Sequence, residues 1–356
     1  MMETHDIIII GGGQMGLALG YYLRRAGARF LILDAEAGAG GAWRHGWESL
    51  RLFSPAGYSS LPGWLMPPPA HEGYPTRDDV LDYLARYEER YQLPIRRPVI
   101  VQSLRRADEG LTVMTDQGNL AARFVVSATG TWSKPFIPDI VGRALFEGQQ
   151  IHSAHYFRPE DFAGQSVLVV GGGNSGAQIM AELSQVAHAR WVTTEYPLFL
   201  PDEVDGRVLF ERAVARMKAG PSDVPVGGIG DIVMVPPVRA ARLRGDLTAI
   251  RPFERMTRTG VCWADGTEEA VDAIIWCTGF RPSLDHLREL HVIEQDGRVL
   301  LDDQRSVKEP SVWLAGYGDW TGAGSATLMG AARTARDLAA SLVKELAAMQ
   351  TSTVLP

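Results

Sequence analysis

Gly11, Gly13 and Gly16 stand in G-x-G-x-x-G spacing, and Gly171, Gly173 and Gly176 repeat that spacing later in the chain. Each glycine of such a trio has its own task. The first permits a tight turn, the second lets a pyrophosphate approach the backbone, and the third lets a helix pack closely on a strand. A carboxylate that accepts hydrogen bonds from a ribose diol belongs about 20 residues further on. Asp34 lies 18 residues after Gly16, and Glu195 lies 19 after Gly176. Two dinucleotides in one chain imply electrons passing between them. Nicotinamide and flavin are the pair that exchange a hydride, so one site is expected to hold FAD and the other NADH or NADPH.

The elements that must position these residues are legible on either side of each trio. DIIII, residues 6–10, reads as a strand buried on both faces of a parallel sheet. A glycine turn containing Gln14, a cofactor-side candidate, leads into a helix that runs from Gly16 to Gly27, and RFLILD is a second strand ending at Asp34. From Ser166 the pattern recurs as strand SVLVV, glycine turn with Asn174 and Ser175, helix AQIMAELSQVA and strand ARWVTT, which leads to Glu195. The fold class expected is α/β with two Rossmann-like dinucleotide-binding domains, one inserted in the other. Residues 1–160 and 281–356 would form the FAD domain, and residues 161–280 the NAD(P) domain.

Four further stretches join this framework. RFVVSATG (123–130) and AIIWCTGF (273–280) each run a buried strand into a small-Thr-Gly turn, where chains cross between nucleotide domains. Ala128, Thr129 and Gly130 are therefore cofactor-side candidates. GAGGAW (38–43) is either an ordinary glycine-rich loop or a turn in which Gly41 and Ala42 let backbone lie close to a long cofactor, with Trp43 as a flat wall. VWLAGYGDW (312–320) places Asp319 after a strand, ahead of a long helix whose N-terminus is expected to face a flavin ring. Leu328, Ala332, Ala335, Leu338, Leu342 and Leu346 form a core-facing stripe on that helix.

Composition removes other functions. The net charge is −7 with 22% charged residues, so no basic face is available to nucleic acid. Only Cys262 and Cys277 are present, without a C-x-x-C or Cys/His cluster, which leaves no dithiol or metal site in view. Asp202, Glu203 and Asp205 lack the twelve-residue calcium pattern and read as a solvated turn. MMETHDIIII has no basic flank or cleavage site, and no apolar run approaches the roughly 20 residues that span a bilayer. A soluble, cytoplasmic protein without membrane contact is expected. The Pro- and Gly-rich loop 221–237 reads as a lid or as a scaffold turn.

Taken together, these stretches resemble the two-dinucleotide-binding-domain flavoproteins and, within them, the class B flavin-dependent monooxygenases, over essentially the whole chain. The flavin-containing monooxygenase fingerprint F-x-G-x-x-x-H-x-x-x-(F/Y)-(K/R) is met by Phe146, Gly148, His152 and Tyr156. Its last position departs, being Phe157 with Arg158 one step on, and the Baeyer–Villiger form fits less well. GGAW (40–43) and YPTRDDVLDYL (74–84) are further echoes, and Thr76 and Asp79 have capping-box spacing. The overall look is that of short bacterial members that accept either nicotinamide coenzyme. The resemblance implies FAD at the site with Gly11, Gly13, Gly16, Asp34, Gly41 and Trp43, and the nicotinamide coenzyme at the site with Gly171, Gly173, Asn174 and Ser175. It makes Phe146, His152 and Tyr156 a hinge rather than reacting groups. It further implies that NAD(P)H reduces FAD and that O2 forms a C4a-(hydro)peroxyflavin. That species would oxygenate a soft nucleophile such as an organic sulfide, by sulfoxidation, or a ketone, by Baeyer–Villiger oxidation. The partners implied are a small-molecule substrate and O2, with a homodimer as the candidate assembly.

Coenzyme choice turns on Thr193, Thr194 and Glu195, which include no basic residue. An arginine suits the 2′-phosphate of NADPH, whereas a carboxylate bonds the 2′-hydroxyl of NADH and repels a phosphate. NADH is expected to serve at least as well as NADPH, with Glu195 the selecting residue unless it only faces solvent. In the apolar segment 49–64, Phe53 and Ser54 are the candidates beside the flavin, and core packing is an equal reading for Phe53. Two rivals remain: a disulfide reductase or NADH oxidase of related fold, which the cysteine count disfavours, and a catalytically idle redox sensor.

Overall fold

Glycine ends the apolar runs IIII (7–10) and VLVV (167–170), and around those two points the computed structural model builds two separate sheets, the first mixed and the second parallel. It describes residues 2–209, 211, 231–322 and 324–354. Residues 221–230 of the Pro- and Gly-rich loop lie outside the described residues. The chain divides into two compact units, residues 1–44, 55–133 and 282–356 in one, and residues 45–54 and 134–281 in the other.

In the first unit, β1 (Glu3–Ile10), β2 (Phe30–Leu33), β3 (Ile95–Arg96), β4 (Val101–Ala107), β5 (Gly110–Thr115) and β6 (Gly118–Ser127) share one sheet with β15 (Leu301–Asp302), β16 (Arg305–Ser306) and β17 (Val312–Leu314). β2 pairs parallel with one side of β1 and β6 with the other, so strand order reverses at β1. A crevice at the carboxyl ends opens at such a reversal, and there ligands bind in open α/β sheets. Ile7, Ile8 and Ile9 are fully buried, each side chain contributing about 1.5–3 kcal/mol. Helix α1 (Gln14–Arg25) connects β1 to β2, and α2 (Arg77–Tyr91) precedes β3. The capping box expected at α2 forms: Thr76 N–H donates to Asp79 Oδ2 at 2.7 Å and Asp79 N–H to Thr76 Oγ1 at 3.2 Å.

The second unit holds β7 (Gln149–His152), β8 (Ser166–Val170), β9 (His188–Val192), β10 (Ala249–Ile250) and β14 (Ala273–Trp276) in the order β10-β9-β8-β14-β7, all parallel. Here the order reverses at β8. β11 (Arg255–Met256), β12 (Gly260–Cys262) and β13 (Glu268–Ala270) form a small antiparallel sheet. Helices α3 (Asn174–Leu183) and α4 (Pro236–Arg244) belong to this unit, and α5 (Leu328–Val354) returns to the first. Along α5, Leu328, Ala335, Leu338, Leu342 and Leu346 are buried, whereas Ala331 takes the fully buried place expected of Ala332.

The units depart from the sequence boundaries in two places. Residues 134–160 go with the second unit because β7 pairs with β14, and residues 45–54 join it because Trp47 and Leu50 pack with Tyr156 and Ile275. Neither pairing is local in sequence, so no composition shift marks either boundary.

Candidate functional site

The same backbone construction appears at the reversal point of each sheet. Gly11, at φ +109°, donates its N–H to Leu33 O at 2.8 Å, and a Cβ there would stand 2.5 Å from Ala128 O. Gly171, at φ +134°, donates to Val192 O at 2.9 Å, and a Cβ would stand 2.2 Å from Cys277 O. A Cβ at Gly16 would lie 2.0 Å from Gly11 O, and one at Gly176 would lie 2.1 Å from Gly171 O. Real Cβ atoms do not approach backbone so closely, so packing alone demands glycine at these four positions. The helices that follow start at Gly13 and Gly173, with no side-chain cap and no acid in the first turn. Their leading N–H groups and positive dipole ends therefore suit a pyrophosphate.

Gly13 differs from its neighbours. A Cβ there would meet only Gly41 Cα, at 4.0 Å, and its φ of −78° suits any residue. The protein itself does not require glycine at this position, so packing gives no reason for it. Gly41, at φ +52°, lies across from it, with a Cβ position 2.8 Å from Gly13 Cα. Ala42 is exposed and Trp43 half-buried; Trp43 Nε1 donates to Gln14 Oε1 at 3.1 Å, and Gln14 Nε2 donates to Ala326 O ahead of α5. Gln14 thus ties the first glycine turn to both the GGAW turn and the approach to α5.

Asp34 is buried, and its Oδ2 accepts from Arg97 Nε at 2.6 Å. Arg97 also donates to both oxygens of Glu88, at 2.7 and 2.6 Å. This pair lies against the turn: a Cβ at Gly12 would be 2.6 Å from Asp34 Oδ2 and 2.8 Å from Arg97 Nη2. A carboxylate has about four lone-pair positions, so Asp34 keeps acceptors for a ribose diol while Arg97 balances its charge. Sequence reading missed Arg97 because nothing near residue 97 resembles a motif.

Thr129 braces the turn after β6. Its Oγ1 donates to Ser283 O at 2.6 Å and lies 2.7 Å from Tyr317 OH, while Gly130 O accepts from Ser283 N. Ser127 Oγ joins Tyr317 OH at 2.6 Å and His286 Nε2 at 2.9 Å. Asp319 is exposed, and its Oδ1 accepts from Gly324 N at 3.2 Å. Burial pushes His286 down to about 4 from its ordinary 6.5. The unfolded chain therefore takes a proton near pH 6.5 that the folded chain refuses until about pH 4. His286 stability is full above 6.5 and is lost as pH falls through that window, by about 2–3 kcal/mol at pH 4.5. His286→Gln is expected to flatten this acid limb, measured as urea midpoints at neutral pH and near pH 4.5.

At the second turn, Asn174 Nδ2 donates to Asp231 O at 2.8 Å and its Oδ1 accepts from Val233 N at 2.9 Å. Both ends of its amide hold backbone, which fixes the Asn174 side chain beside the second glycine turn. Ser175 is half-buried in the first turn of α3. Thr193 is buried, and Thr194 and Glu195 are exposed beyond β9. Arg251 was also missed: it leaves β10 and donates from Nη1 to Thr194 O at 2.6 Å.

The comparisons agree with this duplicated construction. The family model described as pyridine nucleotide-disulphide oxidoreductase matches residues 8–199. A solved flavin-containing monooxygenase from Stenotrophomonas maltophilia is 51% identical with a TM-score of 0.90, over 97% of this chain and 100% of that one. This chain belongs to the pyridine nucleotide-disulphide oxidoreductase family and, within it, to the flavin-containing monooxygenases. A protein of Geobacillus kaustophilus named as an uncharacterized oxidoreductase, CzcO-like, is 33% identical over 84% of this chain and 87% of its own. An indole-3-pyruvate monooxygenase of Oryza sativa is 27% identical over 86% of this chain and 82% of its own.

In this flavin-containing monooxygenase all four fingerprint residues lie in the second unit and serve packing. A Cβ at Gly148 would stand 2.6 Å from Asp272 O and 2.3 Å from the ring of Phe146, which is itself buried. His152 is buried, its Nε2 lies 2.9 Å from Gly279 O, and its Nδ1 accepts from Ala154 N at 3.1 Å. Burial lowers its basicity, so the ring is neutral, donates to the carbonyl and holds β7 to the turn after β14. Tyr156 OH donates to Glu182 Oε2 at 3.0 Å, and Ser49 bonds the other oxygen of Glu182. Burial raises the Glu182 carboxyl. The segment 49–64 is divided between the units, and the Phe53 ring packs with Leu200, Val204, Leu209 and Val233. Of its two readings, packing is the one these neighbours support. Ser54 is buried in the same unit. Cys262 and Cys277 are free, and burial pushes the Cys277 thiol up to about 12. A neutral thiol is a poor nucleophile, which weighs against disulfide reduction. Among the described residues no group of three or more His, Cys, Asp or Glu is placed to hold a metal ion, and no helix is long and apolar enough to cross a membrane.

Proposed function

We propose that the first unit holds FAD, the second takes NADH or NADPH, and the chain uses them with O2 to oxygenate a soft nucleophile such as an organic sulfide. Gly13 carries the first assignment. Its Cβ position is open to the protein, and it caps α1, whose leading N–H groups have no side-chain cap, which suits a pyrophosphate passing close to the backbone. Gly11, Gly16, Gly41, Asp34 and Trp43 would complete the FAD cradle, with Thr129, Gly130 and Asp319 at its far turns. Gly171, Gly173 and Ser175 would hold the nicotinamide coenzyme. When bound, the two cofactors supply hydride transfer and oxygen activation. The chain itself binds, orients and shields them, and no side-chain acid or base is assigned to the reaction. Phe53 and Ser54 carry no chemical role in this reading.

Glu195 is exposed just beyond β9, where a carboxylate meets the adenosine ribose, and this supports use of NADH at least as readily as NADPH. Steady-state turnover with each coenzyme, with thioanisole as acceptor, tests both statements. The expected result is sulfoxide formed in step with coenzyme oxidation. Hydrogen peroxide without any sulfoxide would make the protein an oxidase. A hundredfold preference for NADPH would overturn the role of Glu195.

A further inference from the structure

The stretch WVTTEY contains no cation, yet the fold delivers one to it. β10 runs parallel to β9 with Ile250 beside Val192, and Thr193 N–H donates to Ile250 O at 2.9 Å. Arg251 therefore emerges next to Thr194. Its Nη1 donates to Thr194 O at 2.6 Å, and its Cζ lies 4.0 Å from the centre of the Tyr196 ring. No carboxylate among the described residues pairs with it. A guanidinium has five N–H donors in a rigid plane, so a ring contact and one carbonyl leave most of the fork open.

A second observation marks the same place as built for a ligand. Thr193 is 3% exposed, and its Oγ1 has no hydrogen-bond partner. A buried hydroxyl without a partner costs roughly as much as a lost hydrogen bond, so such groups are normally satisfied. This one sits beside the nucleotide turn: a Cβ at Gly172 would be 3.5 Å from Thr193 Cβ and Cγ2. In a Rossmann unit the adenosine ribose lies just past the end of the second strand, here β9.

We propose that Arg251 recognises the 2′-phosphate of NADPH, with Tyr196 fixing the guanidinium plane and Thr193 Oγ1 bonding the adenosine ribose. The proposal rests on the assignment of the second unit to the nicotinamide coenzyme. Glu195 and Arg251 then act against each other, the carboxylate favouring a 2′-hydroxyl and the guanidinium a 2′-phosphate. Dual coenzyme use is the consequence. The cation comes from the end of β10 rather than from the end of β9.

Arg251 is exposed, so Arg251→Ala and Arg251→Lys are expected to fold. Calorimetric titration of the FAD-loaded protein with NADPH, NADH, 2′,5′-ADP and 5′-ADP reads the effect directly. Arg251→Ala is expected to weaken NADPH and 2′,5′-ADP at least tenfold and to leave NADH and 5′-ADP within threefold. Arg251→Lys should fall between, because it keeps the charge and loses the fork. The wild-type advantage of 2′,5′-ADP over 5′-ADP should shrink as salt rises from about 0.05 M to about 0.5 M. An equal loss for all four ligands would show that Arg251 stacks on adenine, and an unchanged NADPH affinity would show that it does neither; both overturn the proposal. Binding of neither coenzyme to the wild type would overturn the underlying assignment, and the proposal with it.

Discussion

Gly13→Val is expected to yield a folded protein that no longer retains FAD. Branched carbons at Gly13 project into space where the protein's own nearest atom to a Cβ is Gly41 Cα at 4.0 Å, and the backbone there is already extended. The apoprotein loses only the preference of a helix N-cap for glycine, about 1 kcal/mol. A pyrophosphate lying on the N–H groups of α1 has no such room, and an affinity loss of about a hundredfold or more follows from excluding it. Visible absorbance of the purified protein reads flavin content, and far-UV circular dichroism reads the fold. Gly16→Val is the control: its Cβ would overlap Gly11 O at 2.0 Å, so that variant should fail to fold rather than merely lose flavin. A yellow, fully loaded Gly13→Val protein would remove the observation on which the FAD assignment rests.

Arg97→Ala should damage stability and the same cradle together. Arg97, Asp34 and Glu88 have side chains 14%, 7% and 13% exposed, and the guanidinium bonds both carboxylates. Removing it leaves two buried anions unpaired, which costs about 3–5 kcal/mol. For a chain of this size that is a fall in melting temperature of roughly 10 °C. Because the Asp34–Arg97 pair lies against Gly12, the turn itself loses support. Arg97→Lys, which keeps the charge but not the fork, should recover part of the loss. Thermal unfolding with and without added FAD separates the two effects. A melting temperature within about 2 °C of wild type would show that the two carboxylates do not depend on this arginine.

Much of the site was legible because the relevant chemistry is local. A glycine trio, the strand before it, the helix after it and the acid ending the next strand all lie within about 30 residues, the size of one βαβ unit. Asp34 and Glu195 were singled out as candidates on that basis, and the capping box at Thr76, which forms, on an even shorter one. The fingerprint led to Phe146, His152 and Tyr156 as hinge elements. The structure adds why they serve as packing: a neutral His152 on Gly279 O, and Tyr156 bonded to Glu182.

What escaped the sequence depends on partners far apart along the chain. Asp34 and Arg97 are 63 residues apart, and Thr194 and Arg251 are 57 apart. Phe53 had two equal readings, beside a flavin or in a core, until its ring was seen against Leu200 and Val204. The unit boundaries shifted because β7 and residues 45–54 add to a sheet and core formed mostly by later residues. The sequence by itself determined that two glycine turns of the same construction exist and where each begins, since backbone conformation and glycine spacing are short-range properties. Only the tertiary structure decided which charges stand at the first turn and beyond the strand that follows the second. Arg97 and Arg251 arrive on neighbouring strands, and the order of strands in a sheet is set by long-range packing that no local pattern encodes.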